Sequence, residues 1–272
     1  MGASDIIRIK PKKSLGQNFL IDNNIARKIA RDLHLSKDDV VLEIGAGRGA
    51  LTKELIGHVR HILIVEIDYR LIEQLQQQFS SPSVTILHQD FLEIELADVQ
   101  KRYKTKLRIV GNIPYHLTSP IIFKVFEEHS SVYDLTIMVQ REVAQRIAAQ
   151  PGTKEYGILS VFAWFYGVPR ILFHVSPNCF FPKPKVTSTV MRILLHSTLP
   201  RTTDEALFRT IVRTVFGKRR KTLRNSLKYL SINGKIIEQA AASNSSLLDK
   251  RPEQLTVEQF IYLTREIGKI LP

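Results

Sequence analysis

The tightest constraint on the fold is an alternation of two hydrophobic periods between Asp39 and Val139. Apolar runs of strand length recur at Asp39–Ile44, His61–Ile67, Val84–Leu87, Leu107–Val110 and Leu135–Val139. Helical spacing fills intervals between them, as in Leu71, Ile72, Leu75 and Phe79 and again over Ile121–Phe126. Such alternation predicts an α/β fold with a doubly wound parallel sheet. Ahead of it, Asp22 is placed to cap a helix carrying Ile25, Ile29 and Leu33. After Gln150 the rhythm changes. Arg170–Val175 and Val186–Leu195 read as two further strands around the proline-rich Pro177–Pro184, and suit antiparallel neighbours at a sheet edge. From Thr203 the pattern is helical, with turns at Asn233-Gly234 and Lys250-Arg251-Pro252. Two domains are therefore expected, an α/β domain over 1–196 and a small all-helical domain over 197–272, with the boundary between His196 and Arg201.

A chain of 272 residues, 44% hydrophobic, can build such cores. It has no apolar run long enough to cross a membrane, and Met1–Leu15 lacks the apolar centre of a signal peptide. The one cysteine, Cys179, cannot form an internal disulfide, which fits a reducing cytoplasm. Lys and Arg number 39 against 26 Asp and Glu, a net charge of +13. That excess favours a polyanionic partner, either nucleic acid or an anionic membrane surface, with nucleic acid preferred.

Glu43-Ile44-Gly45-Ala46-Gly47-Arg48-Gly49 follows the first strand and opens a helix. Glycines let a backbone turn sharply and approach a ligand closely. NAD, FAD and S-adenosylmethionine sites all use such loops, but the spacing is Gly-x-Gly-x-Gly, not the dinucleotide Gly-x-Gly-x-x-Gly. Glu66 ends the second strand, 17 residues past Gly49, where a carboxylate can accept both hydroxyls of a ribose. Asp90 and Asn112 end the third and fourth strands. Each alone could be a helix cap or a loop start. Together, polar residues at the carboxyl ends of successive parallel strands line a nucleoside crevice. No Walker lysine, no Gly-x-Ser-x-Gly elbow and no paired His, Cys or carboxylate spacing for a metal is present, so no metal is expected.

Asn112-Ile113-Pro114-Tyr115 stands directly beyond the fourth strand. Its residue types suit the presentation of an exocyclic purine amine to an electrophilic methyl group. That amine is a poor nucleophile because the ring shares its lone pair. The Asn112 side-chain oxygen and the Ile113 carbonyl can each accept one amine hydrogen and aim the lone pair. Pro114 stiffens the turn, and Tyr115 offers a face for a flipped-out base. Displacement at a sulfonium needs alignment and electrostatics more than a metal or a strong base.

With these residues in place the chain resembles the KsgA-type ribosomal RNA adenine dimethyltransferases, from about Lys12 to Leu230. The resemblance is carried by Gly16-Gln17-Asn18-Phe19-Leu20, the loop Glu43–Gly49, Glu66-Ile67-Asp68 and Asp90-Phe91. It continues through Gly111-Asn112-Ile113-Pro114-Tyr115 and Phe180-Phe181-Pro182-Lys183-Pro184-Lys185-Val186. It implies a Rossmann-like methyltransferase sheet and S-adenosylmethionine as cofactor, with S-adenosylhomocysteine as product. It implies dimethylation at N6 of two adjacent adenines in a small-subunit (16S) rRNA hairpin, with the small ribosomal subunit as partner and a monomeric enzyme. Asn18, Leu20, Gly45, Gly47, Glu66, Asp90, Phe91 and Asn112 are then cofactor residues. In that pattern Gly45 lies under the methionine part, Glu66 holds ribose, Asp90 holds the adenine amine and Phe180 contacts the target base. Ala46 replaces a common proline, and His116 an asparagine usual after the tyrosine.

Arg213–Lys228 carries seven cations and no acid. As one helix it would align Arg220, Arg224 and Lys228 beside the inward-facing Leu223 and Leu227. Residues 201–272 hold 14 Lys and Arg against 7 Asp and Glu. Arg219, Arg220, Lys221, Arg224 and Lys228 are therefore expected to contact RNA. Phe216–Leu227 also resembles the signature of the same family's small domain. It favours that family over related large-subunit enzymes that confer antibiotic resistance. A ribosome-assembly factor whose methylation is secondary stays open, while a nicotinamide dehydrogenase has only the glycine loop in its favour.

Overall fold

The computed structural model describes residues 9–199, 204–230, 232 and 234–271. Met1–Arg8 of the basic arm, Arg201 at the expected boundary, Thr203 at the start of the helical pattern and Asn233 of the expected turn lie outside the described residues. The described residues form nine strands: β1 (Phe19–Leu20), β2 (Val40–Ile44), β3 (His61–Glu66), β4 (Val84–His88), β5 (Leu107–Asn112), β6 (Val132–Gln140), β7 (Gly167–Val175), β8 (Phe180–Phe181) and β9 (Ser188–Leu195). Seven make one sheet in the order β4-β3-β2-β5-β6-β9-β7. β4, β3, β2, β5 and β6 run parallel, and β9 lies antiparallel to β6. β2 is buried along its whole length and β3 from Ile62 on, which is why both are so apolar.

All seven sheet strands expected from the spacing are present, with ends shifted by a few residues, and β7 and β9 are neighbours at the edge. Asp22 caps the Asn23–Asp32 helix as expected, accepting from the backbone N–H groups of Asn24 and Ile25. The two-residue ladder of β1 with β8 has no periodicity to read. It pairs Phe19 with Phe181 and Leu20 with Phe180.

The chain divides into two compact units. One holds the chain up to Ala144 together with Arg170–Leu195, and the other holds Gln145–Pro169 and the chain from His196 on. The second unit therefore draws in a segment that the expected 1–196 domain would have kept. The cause lies in the Ile158–Tyr166 helix, where Val161, Phe162, Ala163, Phe165 and Tyr166 are all buried. Its Phe165 ring stacks on Phe208 of the Glu205–Phe216 helix, with centroids 4.0 Å apart. From Glu205 on, regular structure among the described residues is helical.

Candidate active site

Strand order places the crevice. From β2 the chain steps outward to β3 and β4, then returns to build β5 and β6 on the other side. The loops after β2 and β5 diverge, and a ligand crevice opens where they part. Ile44 is in register with Val65 of β3 and Gly111 of β5, so Gly45, Glu66 and Asn112 emerge side by side. His88 of β4 is in register with Glu66, and Asp90 follows two residues later. Residues lining the crevice include Gly45, Gly47, Glu66, Asp90, Phe91 and Asn112, together with Asn18, Leu20, Ile113, Pro114 and Tyr115.

The floor of this crevice depends on close backbone approach. A side chain begun at Gly111 would place its Cβ 2.7 Å from the Ile44 carbonyl oxygen. Gly45, with φ of +65°, is the opposite case: a Cβ there meets no atom within 4 Å. The loop thus offers bare backbone to whatever occupies the crevice.

Glu66 is held from both sides. Its Oε2 accepts the Gly47 N–H at 3.1 Å and its Oε1 the Asp68 N–H at 3.0 Å. Each oxygen keeps capacity for a ligand hydroxyl. Burial raises the Glu66 pKa above the usual carboxylate range. Glu43, at the end of β2, is buried more deeply, and its Oε2 accepts from Thr52 Oγ1 at 2.6 Å. Burial pushes its carboxyl up to about 7. Asp90 caps the Phe91–Glu93 turn by accepting the Leu92 N–H.

The turn Asn112–Tyr115 is locked by its neighbours. Asn112 Nδ2 donates to the Asn18 carbonyl at 2.8 Å. A carbonyl can only accept, so the amide must present its NH2 group there and keep Oδ1 for another donor. The Leu117 N–H donates to the Pro114 carbonyl at 2.9 Å and closes the turn. The Tyr115 hydroxyl and Ser188 Oγ share a hydrogen bond of 2.9 Å, which fixes the ring, and burial raises the phenol's pKa. His116 is exposed, beside the Gly16 turn.

Phe180 is placed differently from its neighbours. It is buried opposite Leu20 in the β1–β8 ladder and lies outside the crevice lining, while Phe181 is the half-exposed ring. Gln17, Arg48, Asp68 and Arg70 surround the crevice without a role that their spacing in the sequence indicates. Gln17 Nε2 donates to Asp68 Oδ2 at 2.8 Å across 51 residues, a pairing no local spacing announces. The Arg70 guanidinium beside Asp68 holds that carboxyl down at about 2.

Residues 8–266 match the family described as ribosomal RNA adenine dimethylase. The chain belongs to that family. A relative from Flavobacterium johnsoniae, named ribosomal RNA small subunit methyltransferase A, is 42% identical over 261 residues, spanning 96% of this chain and 97% of its own. The crystal structure of a dimethyladenosine transferase from Plasmodium falciparum has the same fold, with a TM-score of 0.81, 23% identity and coverage of 92% and 98%. That of the 23S rRNA methyltransferase ErmE superposes with a TM-score of 0.66 at 27% identity, covering 92% of this chain and all of the other.

The second unit of this adenine dimethylase corrects one expectation. The Glu205–Phe216 helix ends before the basic cluster, and a new helix begins at Leu223 and ends at Leu227. Arg220 lies in the intervening turn and Lys228 in the 3-10 turn that follows, so no single helical stripe forms. Arg224 is ion-paired to Glu238 and Asp249. Arg219 donates to the Lys154 carbonyl at 2.8 Å, and Lys221 Nζ to the Tyr229 hydroxyl at 2.7 Å. Arg220 and Lys228 are exposed. Among the described residues no helix is long and apolar enough to cross a membrane, and no group of His, Cys and carboxylates is arranged to hold a metal.

Proposed function

We propose that this protein transfers methyl groups from S-adenosylmethionine to the N6 amines of two adjacent adenines in a small-subunit (16S) rRNA hairpin, as a cytoplasmic monomer acting during ribosome biogenesis. One observation carries the reading. The Asn112 amide is locked by the Asn18 carbonyl with its Oδ1 left to accept, one residue past the register that aligns the glycine loop with Glu66.

The crevice fits the cofactor. Glu66 is pre-oriented to accept two ribose hydroxyls. The unfilled space at Gly45 and the positive-φ backbone through Gly47 suit the methionine part. Asp90 and Phe91 face the adenine, and Asn18 and Leu20 close the crevice from the arm. Bound there, S-adenosylmethionine supplies an electrophilic methyl on sulfur.

The chain's own residues do the rest. Asn112 Oδ1 and the Ile113 carbonyl accept the two amine hydrogens, which raises electron density on nitrogen and points its lone pair into the crevice. Both acceptors are neutral amide oxygens, so they orient the amine without acting as bases, and once the methyl leaves sulfur for nitrogen the cationic nitrogen sheds its proton to solvent. Tyr115, anchored by Ser188, stacks the flipped base. Once one methyl is in place, a single hydrogen is left to hold, and the Tyr115 face carries more of the positioning. Phe180 can reach the base only if the β1–β8 ladder gives way.

The substrate follows from likeness as well as chemistry. Relatives near 40% identity carry the small-subunit name, whereas the likeness to the 23S enzyme is 27%. Arg220, Lys221 and Lys228 supply cations for the RNA backbone.

Labelled S-adenosylmethionine incubated with unmethylated small subunits, followed by mapping, should place label on two adjacent adenines. Asn112→Ala should lower single-turnover transfer by about 10²–10³ while leaving most cofactor affinity. Transfer by Asn112→Ala at the wild-type rate would make the turn structural and refute the reading.

A further inference from the structure

The arm that precedes β1 is tied down at points spread along its length. Arg48 Nη2, from the glycine loop, donates to the Ile9 carbonyl at 2.9 Å. Arg70 Nη1, just past Glu66, donates to the Lys10 carbonyl at 3.3 Å. The Lys12 N–H donates to Gln17 Oε1 at 2.7 Å, and the other end of that amide reaches Asp68. Phe19 carries the Arg48 guanidinium over its ring at 4.8 Å. The anchors sit on the glycine loop and just beyond the ribose carboxylate, the two walls of the crevice, and the arm between them lines it through Leu15–Leu20.

Asp68 is the joint of this arrangement. Its backbone N–H fixes Glu66, while its carboxylate, 1% exposed, takes Arg70 Nε at 2.8 Å, Arg70 Nη2 at 2.5 Å and Gln17 Nε2. Asp68 and Arg70 are both outside the crevice lining. Any effect of their side chains on a bound molecule must pass through the arm or through Glu66.

We propose that Asp68 and Arg70 are positioning residues that strap the N-terminal arm across the cofactor crevice and so set the rate at which the spent cofactor leaves. This rests on S-adenosylmethionine occupying that crevice, as proposed above. Glu66, Gly45 and Asp90 hold the ligand, but a ligand held only from the floor escapes through the open side. The arm covers that side, and it opens only when the Asp68 cluster lets go. Neither residue touches the reacting nitrogen, and Asn18, whose carbonyl locks Asn112, adjoins the β1–β8 ladder that stays paired, so the chemical step is left nearly untouched.

The test is stopped-flow displacement of S-adenosylhomocysteine from the full chain, with amide hydrogen exchange over residues 9–20 in parallel. Asp68→Asn should speed release about tenfold, the scale of one lost charge-assisted hydrogen bond. Arg70→Met should speed it at least about threefold by the same scale, and Arg70→Lys should recover part of the loss. Protection over 9–20 should fall in both, while single-turnover transfer at saturating cofactor and RNA stays within about threefold, as expected when only a remote anchor is lost. Should Asp68→Asn fail to fold, Arg70→Met decides alone, because methionine replaces most of the apolar stem of a side chain that is 30% exposed and Gln17 still donates to Asp68. Unchanged release and unchanged protection in Arg70→Met, with S-adenosylhomocysteine binding normally to wild type, would overturn the strap. A wild-type chain that binds no S-adenosylhomocysteine would overturn the functional reading, and the strap with it.

Discussion

Gly111→Ala tests whether the contact between β2 and β5 sets the catalytic geometry. The added Cβ would stand 2.7 Å from the Ile44 carbonyl oxygen, 3.1 Å from the Ile44 Cβ and 3.2 Å from Ile113 Cγ2. Ordinary van der Waals contact begins near 3.4 Å, so the strands must part by about 0.7 Å at that level. Neither obstacle beside β2 can swing away, since one is backbone and the other is the first atom of a buried side chain. The displacement falls one residue before Asn112 and two before Ile113, the two acceptors proposed for the amine. Misplacing reacting groups by about 1 Å costs on the order of 10² in rate, so single-turnover transfer should fall by about 10–10². Overpacking of this kind costs about 1–3 kcal/mol of stability, a fall of several degrees in the thermal midpoint. Cofactor affinity should weaken less than about tenfold, because Glu66 and Asp90 lie on β3 and beyond β4, outside the affected pair. Rapid-quench methylation with saturating RNA, calorimetry with S-adenosylhomocysteine and a thermal melt would give the three numbers. Wild-type transfer by a folded Gly111→Ala variant would refute the claim that this close approach positions the turn.

Glu43 should leave a signature in stability against pH. Its folded pKa of about 7 stands above the ordinary 4.5, so the stability gained from its protonation is complete below 4.5 and is lost as pH rises through about 7. Glu43→Gln has no charge to bury, so its melting temperature relative to wild type should be higher at pH 8 than at pH 5, and equal offsets at both pH values would contradict the assignment. Asp134, fully buried, accepts from Arg108 Nη2 at 2.7 Å and Arg192 Nη2 at 2.5 Å, and Asp134→Ala would take the carboxylate from Arg192 and leave Arg108 with Asp39 as its acidic partner. The expected loss is about 3–5 kcal/mol, a drop of about 10 °C in a melt, with cofactor affinity unchanged because Arg108 lies at the far end of β5 from Asn112. In RNA binding, Arg220→Ala and Lys228→Ala should each reduce the salt slope by about 0.7–0.9, while Arg224→Ala should reduce it less because that cation is shared with Glu238 and Asp249. Slopes unchanged from wild type in all three variants would place the RNA footprint elsewhere.

The sequence made the sheet legible because its central strands β2 and β3 are buried almost throughout, and strands buried on both faces read as continuous apolar runs. Glu66, Asp90 and Asn112 were legible for a related reason: a polar residue closing an apolar strand stands out, and strand ends are where an open sheet binds ligands. What stayed hidden depends on contacts remote along the chain. The link from Gln17 to Asp68 spans 51 positions and involves side chains that look like ordinary surface polar residues. The β1–β8 ladder is two residues long, too short for a period of two to show. The basic run suggested one helix because Arg220, Arg224 and Lys228 recur at helical spacing beside Leu223 and Leu227. Gly217 directly after Phe216 was the sign that the helix stops there, and Thr222 then starts another.

The second unit is threaded from two separate stretches, and that has a practical consequence for anyone cutting or grafting this chain. A fragment beginning at Ser197 would lack Gln145–Pro169, leaving the Phe208 face without Phe165 and Phe162, whose centroids lie 4.0 Å and 6.0 Å away. A truncation ending at His196 would expose those same rings on the piece that remains. Exchange of this unit between relatives therefore requires three junctions, two flanking Gln145–Pro169 and one before the tail, and a single crossover between Pro169 and His196 in a recombination library should yield insoluble chimeras.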